Sequence, residues 1–200
     1  MSDGRTIRHR PIIEHFWQTI PGFFTFPKFY SWLADEMHYF HAGAPVHGVE
    51  VGVYAGQSAA YLAVELSNLG VPARLDLVDT FDGGVLTVLD ALEPVKHVIG
   101  QAHVGCSWEM VRHYADASLD WVFIDADHAY ESVRKDIDAW LPKVRTGGII
   151  AGHDFINWPG FGVIKAVTET FERIEVWRGD LHMGDTQMKP HFWPVWSVRI

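Results

Sequence analysis

Val46-His47-Gly48-Val49-Glu50-Val51-Gly52-Val53-Tyr54-Ala55-Gly56-Gln57-Ser58, continued by Ala59–Leu66, decides the fold. Residues 46–53 are a short, mostly apolar run and read as a buried strand. The chain then turns through Gly52–Ser58, and residues 59–66 have helical composition and spacing. Strand, glycine turn and helix together make the first half of a nucleotide-type site. Glycines allow close backbone approach to a ligand, and the helix start offers free N–H groups. Glu50 stands two residues before the first glycine. A pyrophosphate gains nothing from a carboxylate there, whereas a ligand ammonium does. Gly52 and Gly56 are four apart, which is not the G-x-G-x-x-G of a dinucleotide site. The pattern favours a zwitterionic nucleoside such as S-adenosylmethionine over a nicotinamide dinucleotide.

Composition narrows the classes. The chain has 200 residues, 48% hydrophobic and 20% charged, enough for one α/β domain with its own core. Net charge is −9 with no Lys/Arg cluster, so nucleic acid is a poor general partner. No run approaches the roughly 20 apolar residues of a membrane span. Met1–Arg5 lacks a signal-peptide core, so the expected location is cytoplasmic, with no membrane partner. Cys106 is the only cysteine, which excludes an internal disulfide and a cysteine-based zinc site.

Outward from the opening stretch, strands and helices alternate. Residues 1–12 read as a tail. Residues 14–27 carry Phe16, Trp17, Phe23, Phe24 and Phe26 between prolines. They are expected to pack on the body, with a cover over a substrate pocket or a second subunit as alternatives; a homodimer is one such arrangement. Lys28–Ala42 reads as a helix in which His38 and His41 lack a third metal partner. Ala73–Asp79 is the second strand, 97–105 holds a third, Leu119–Asp125 is the fourth and Gly147–Ala151 the fifth. Helices are expected at Val85–Leu92, Trp108–Tyr114, Glu131–Leu141 and Val163–Phe171, with late strands at Arg173–Arg178 and Val195–Ile200. A loop with Met183, Met188, Phe192 and Trp193 lies between the last two. One domain spans 1–200, with a tail and aromatic segment over 1–27 and an α/β body over 28–200.

This alternation specifies a mostly parallel sheet with helices on both faces. Such sheets gather ligands at the carboxyl ends of their strands. Those ends carry Gly52, Asp79, Asp125 and Asp154. Asp79, followed by Thr80, is placed for a ribose, or else forms a turn. Asp125 and Asp154 end neighbouring strands, where two carboxylates would repel unless a divalent cation such as Mg²⁺ joins them. A cation there lowers the pKa of a bound hydroxyl, and His128 is placed to take its proton. Alternatively, Asp125 holds the ligand ammonium, Asp127 caps the next helix, and His128 is structural. His153 is open as a ligand, a second base or a buried neighbour.

On Val49–Ser58, Gly105-Cys106-Ser107-Trp108, Leu119–Tyr130 and Gly147–Asp154, the chain resembles class I S-adenosylmethionine-dependent methyltransferases. It is most similar to the metal-dependent O-methyltransferases of the catechol and caffeoyl-CoA type and to bacterial sugar and macrolide O-methyltransferases. The resemblance implies a Rossmann-like, seven-stranded sheet with an antiparallel last strand. It implies that Glu50, Gly52, Tyr54, Gly56 and Ser58 surround the methionine part of the cofactor. Asp79 and Thr80 would meet the ribose, and Ser107 and Trp108 the adenine. Asp125 and Asp154 would be metal carboxylates, Asp125 also serving cofactor and catalysis, and His128 would stand where those enzymes carry a catalytic lysine. Phe155 departs from the Asn or Asp common after the second carboxylate, leaving His153 or Asn157 as a third ligand. The expected reaction is O-methylation of a small hydroxylated acceptor, sugar or aromatic. Metal-free methylation by His128 or His153, and a binding module without a reaction, are the alternatives.

Overall fold

The structure is a computed structural model that describes residues 11–41, 43–178 and 193–200. The strands are β1 (Val46–Val51), β2 (Ala73–Asp79), β3 (Ile99–Val104), β4 (Leu119–Ile124), β5 (Val144–Gly152), β6 (Glu175–Trp177) and β7 (Val195–Arg199). They form one sheet in the order β3-β2-β1-β4-β5-β7-β6. The first five pair in parallel, and β7 runs antiparallel between β5 and β6. The helices are α1 (Pro27–His41), α2 (Gln57–Leu69), α3 (Val85–Ala91), α4 (Ser107–Met110), α5 (Tyr130–Trp140) and α6 (Val163–Thr170). The expected seven strands and antiparallel last strand are therefore present. Among the described residues, no helix is long and apolar enough to cross a membrane.

Alternation along each strand builds two apolar layers, one on each face of the sheet. Trp121 and Phe123 of β4 join the layer beneath α1, α2 and α3. Val122 and Ile124, with Val49 and Val51 of β1, join the layer beneath α4, α5 and α6. The aromatic segment before α1 packs as expected: Phe24 and Phe26 are buried in the first layer. Gln57 fastens it, donating from Nε2 to the Ile20 carbonyl (3.0 Å) and accepting at Oε1 from Phe24 N–H (2.9 Å). Phe23 is the exception, 76% exposed, with its ring 6.0 Å from that of Tyr54.

Several boundaries differ from expectation. β1 stops at Val51, because Gly52 takes φ +85° and leaves the strand. β5 begins at Val144, three residues before Gly147, and reaches its regular pairing with β4 only after a register shift. The expected helix over 108–114 is a short α4 followed by a 3-10 turn, Val111–His113. His41's side chain, most of the 1–12 tail and most of the loop that carries Met183, Met188 and Phe192 lie outside the described residues.

Asp76 is the polar anchor of the β2 side. Its fully buried carboxylate accepts from His47 Nε2 (2.9 Å), Arg74 Nε (2.8 Å), Gln101 N–H (2.7 Å) and Tyr114 O–H (3.1 Å). Burial alone would raise its pKa, but the bonds from His47, Arg74 and Gln101 outweigh it and hold the carboxyl well below the usual range. A depressed folded-state pKa stabilises above the unfolded value, about pH 4, and that contribution is lost as pH falls below it. Asp76→Asn should cost about 3 kcal/mol in urea unfolding at pH 7 and flatten the acid limb of the stability curve. A variant with wild-type stability at pH 7 would show that these donors find other partners.

Candidate active site

A cleft of about 900 Å³ opens at the carboxyl ends of β1, β2 and β4. Gly52 forms its floor. Gly52 N–H donates to Val78 O (2.8 Å) and Asp125 N–H to Val51 O (2.7 Å), which ties the three strand ends together. A Cβ on Gly52 would lie 2.0 Å from the Asp125 carbonyl oxygen. Only glycine permits that approach at a positive φ.

Asp79 fastens the loop that follows. Its Oδ2 accepts from Val53 N–H (2.6 Å) and Tyr54 N–H (2.9 Å), and Oδ1 accepts from Phe81 N–H (2.7 Å). The turn-forming role left open by the sequence is thus real, and the same carboxylate also lines the cleft. Tyr54 is held at φ +52°, a conformation a bulky residue seldom adopts.

Seven of the expected cofactor residues line the cleft: Gly52, Tyr54, Asp79, Thr80, Ser107, Trp108 and Asp125. Glu50, Gly56 and Ser58 are not among the residues that line it. Glu50 points from β1 into the layer under α1 and α2, one shell beneath the wall, and is 1% exposed. The Ser58 hydroxyl donates to its Oε1, and the Tyr30 hydroxyl lies beside the same carboxyl. Burial pushes the Glu50 carboxyl up to about 8, against the Ser58 bond. Gly56 instead caps α2 in the left-handed region, its α-carbon facing Val88 and Leu92.

The second group of polar residues adjoins the cleft at Asp125. Ile124 pairs with Gly152, so the residues leaving β4 and β5 are neighbours. Between the two acids stands His153, which the sequence left open as a ligand, a second base or a buried neighbour. Its Nδ1 is 3.5 Å from Asp125 Oδ1 and 3.3 Å from Asp154 Oδ2, and Nε2 is 3.2 Å from Thr25 Oγ1. Burial lowers its pKa, but the two carboxylates win and raise it to about 10. In its protonated form this imidazole would offset part of the repulsion between the two carboxylates. His128 Nε2 lies 2.6 Å from Asp154 Oδ2, and this bond raises the His128 pKa against burial. Asp154 is held well below the usual carboxylate range: burial opposes this, and bonds from His128 and His153 prevail.

Three donors, from Asp125, His128 and Asp154, lie within 4.8 Å of one another, a spacing that suits one cation. Asn157 is exposed. Asp127 serves the start of α5, accepting from Ala129 N–H (3.2 Å) and Ser132 O–H (2.5 Å). Aromatic rings wall the outer side. Phe161 stacks on His128 at 4.4 Å and 5°, with Trp193 5.9 Å beyond it. Sequence reading missed Asp136, which also lines the cleft. Its signal was visible, since it shares the apolar face of α5 with Val133, Ile137 and Trp140.

A 3-2-1-4-5-7-6 sheet with antiparallel β7 and a ligand cleft at its carboxyl edge defines the Rossmann-like class I methyltransferase fold. The chain belongs to the family described as methyltransferase domain, whose model matches residues 49–155, more than half of its length. Solved structures agree on the fold. A Bacillus cereus O-methyltransferase, solved with S-adenosylhomocysteine, superposes with TM-score 0.65 at 16% identity, over 94% of this chain and 84% of that one. A precorrin-6y C5,15-methyltransferase from Geobacter metallireducens gives 0.65 at 11%, over 95% and 100%. An S-adenosylmethionine-dependent O-methyltransferase from Thermotoga maritima gives 0.61 at 16%, over 88% of this chain. The match spans 66%, just under two thirds, of that last protein's length.

Proposed function

We propose that the protein binds S-adenosylmethionine in the cleft and transfers its methyl group to an oxygen of a small hydroxylated molecule. On this reading the chain acts as one methyltransferase domain. The observation that carries the proposal is the junction at Asp125, where a cleft of cofactor size meets the His128, His153 and Asp154 cluster. A donor held in the cleft would present its reactive carbon to an acceptor over that cluster. The aromatic wall of Phe161 and Trp193 suits the apolar face of a sugar or an aromatic ring.

The residues fit the cofactor. Glu50 is a buried acid beside the Tyr30 hydroxyl, one shell below the Gly52 loop. A ligand ammonium above it would favour the ionised carboxylate. Asp79, already fixed by three N–H groups, offers its remaining lone pairs to ribose hydroxyls. The residues also fit a divalent cation such as Mg²⁺ or Mn²⁺, which Asp125 and Asp154 would hold. Bound there, it would lower the pKa of the acceptor hydroxyl. His128, oriented by Asp154, takes the proton, and alignment of donor and oxygen supplies most of the rate.

One observation favours a second, metal-free reading. His153 stands between the two acids, 3.5 Å from Asp125 and 3.3 Å from Asp154, where its protonated form would balance them and leave His128 and Asp154 as a base and its orienting carboxylate. Chelation separates the two: full turnover after EDTA treatment selects the metal-free one.

Titration calorimetry with S-adenosylhomocysteine, followed by a methyl-transfer screen over catechols and sugars, tests the function. Binding without transfer to any acceptor would favour a non-catalytic module. Asp79→Ala should weaken S-adenosylhomocysteine by on the order of tenfold or more, because it removes ribose contacts and frees the Val53 and Tyr54 N–H groups. Unchanged affinity in that variant would remove Asp79 from the cofactor site.

A further inference from the structure

Thr25 places a hydroxyl between Phe24 and Phe26, two rings buried in the first apolar layer. It is 9% exposed, and a buried hydroxyl is costly unless it is hydrogen-bonded. Its partner lies far along the chain: Thr25 Oγ1 is 3.2 Å from His153 Nε2. The Phe26 ring lies against the same imidazole, centroids 4.6 Å apart. The segment that brings Thr25 here is itself fixed. Gln57 of α2 donates from Nε2 to the Trp17 and Ile20 carbonyls and accepts at Oε1 from Phe24 N–H. Thr19, Ile20 and Pro21 of this segment line the cleft. One aromatic segment therefore borders the cleft at one end and touches the acid cluster at the other.

The chemistry of the imidazole gives that contact a direction. Nδ1 faces Asp125 Oδ1 at 3.5 Å and Asp154 Oδ2 at 3.3 Å. Ionised carboxylates only accept, so the nitrogen that faces them carries hydrogen, and Nε2 is left for Thr25. A hydroxyl can donate to a bare Nε2 or accept from Nε2–H, so the contact survives in either charge state of the ring. The backbone is held separately, by His153 N–H donating to Ile124 O at 3.0 Å. What remains free is rotation about the last side-chain torsion, which is intrinsically broad for histidine. The Thr25 hydroxyl is placed to stop it.

We propose that Thr25 is a positioning residue for methyl transfer: its hydroxyl holds the His153 ring so that Nδ1 stays between Asp125 and Asp154. The effect on turnover rests on the function proposed above, whereas the orientation of the ring does not. Thr25 acts only through His153. The ring in turn keeps Asp125, the residue shared by cleft and cluster, in register with Asp154.

Two variants of the full chain test this. Thr25→Val removes the hydroxyl and nearly keeps the volume, and Thr25→Ser keeps the hydroxyl and removes a methyl group. Long-range ¹H–¹⁵N spectra of the histidine rings, with His153 assigned by its loss in His153→Gln, read the ring directly. Wild type and Thr25→Ser should show one His153 ring state with hydrogen on Nδ1, and Thr25→Val should show a second state or exchange broadening. With the best acceptor from the methyl-transfer screen, kcat in Thr25→Val should fall on the order of 30-fold. KM and S-adenosylhomocysteine affinity should stay within about twofold, and Thr25→Ser should restore kcat to within about threefold of wild type. Mere packing predicts the opposite order, with the lost methyl group of Thr25→Ser the more damaging change. Unchanged His153 signals in Thr25→Val, or equal losses of kcat in the two variants, overturn the inference. A wild type that methylates nothing in the screen overturns the catalytic role together with the proposed function, while the ring spectra still decide the orientation.

Discussion

Asp154→Asn should lower turnover by on the order of 1,000-fold while S-adenosylhomocysteine affinity stays close to wild type. The substitution is chosen for the backbone. Asp154 sits at φ +58°, in the left-handed region, and asparagine tolerates that conformation far better than alanine. The shape and the turn survive, and only the charge is lost. That charge has three uses in this site. It holds His128 at 2.6 Å, it flanks His153 at 3.3 Å, and it is one of the three donors that converge for a cation. An amide in its place cannot keep His128 basic and is a weak cation ligand. The cleft proper reaches the cluster through Asp125, not Asp154, so the cofactor should scarcely notice. Steady-state kinetics with and without added Mn²⁺ then discriminate between the readings. Partial rescue by excess metal supports a cation held by Asp125 and Asp154. No rescue, with wild-type activity resistant to EDTA, supports the His128–Asp154 pair acting alone. Wild-type turnover in the variant would exclude both.

Much of this was legible in the sequence because each feature has a short-range cause. The Gly52 turn, the apolar β4 run and the acids that close β2, β4 and β5 are set by residues within a few positions. The strand order that brings those acids to one edge follows from alternation of strands and helices, since parallel crossovers leave few topologies. What was not legible depends on contacts across the sequence. Glu50 lies beneath the cleft because the phase of β1 turns Val49 and Val51 toward α5 and turns residue 50 toward α1 and α2. That phase cannot be assigned to a face until both helix layers are in place. The role of His153 stayed open in the sequence because its surroundings depend on two carboxylates contributed by different strand ends. The early start of β5 was hidden by Gly147 and Gly148, whose low strand propensity masks a pairing that β4 and Ile200 impose. Asp136 could have been found: an acid in phase with Val133, Ile137 and Trp140 must be buried, and a buried acid needs a partner.

Gly52→Ala should reduce S-adenosylhomocysteine affinity by at least about 100-fold and destabilise the fold by about 2–5 kcal/mol. Two independent costs act at this residue. The first is conformational, because φ +85° is open to glycine and disfavoured for any residue with a Cβ. The second is a collision that cannot be relieved by rotating a side chain. The added carbon would meet the Asp125 carbonyl oxygen at 2.0 Å, its carbonyl carbon at 2.4 Å and Ala126 N at 2.8 Å. All three are backbone atoms, so the exit of β4 must shift as a unit. That exit is pinned to β1 by the Asp125 N–H to Val51 carbonyl bond and to β5 by the His153 N–H to Ile124 carbonyl bond. Relief of the clash therefore breaks the ties that align Asp125 with the cleft on one side and with His153 on the other. Gly83→Ala is the matched control for stability, since its added carbon meets nothing within 4 Å. Its change should stay within about 0.5 kcal/mol. Thermal unfolding and calorimetric titration of the two variants decide the matter. A Gly52→Ala protein that binds like the wild type would mean that the β4 exit yields freely, and the rigidity assigned to the cleft floor would have to be given up.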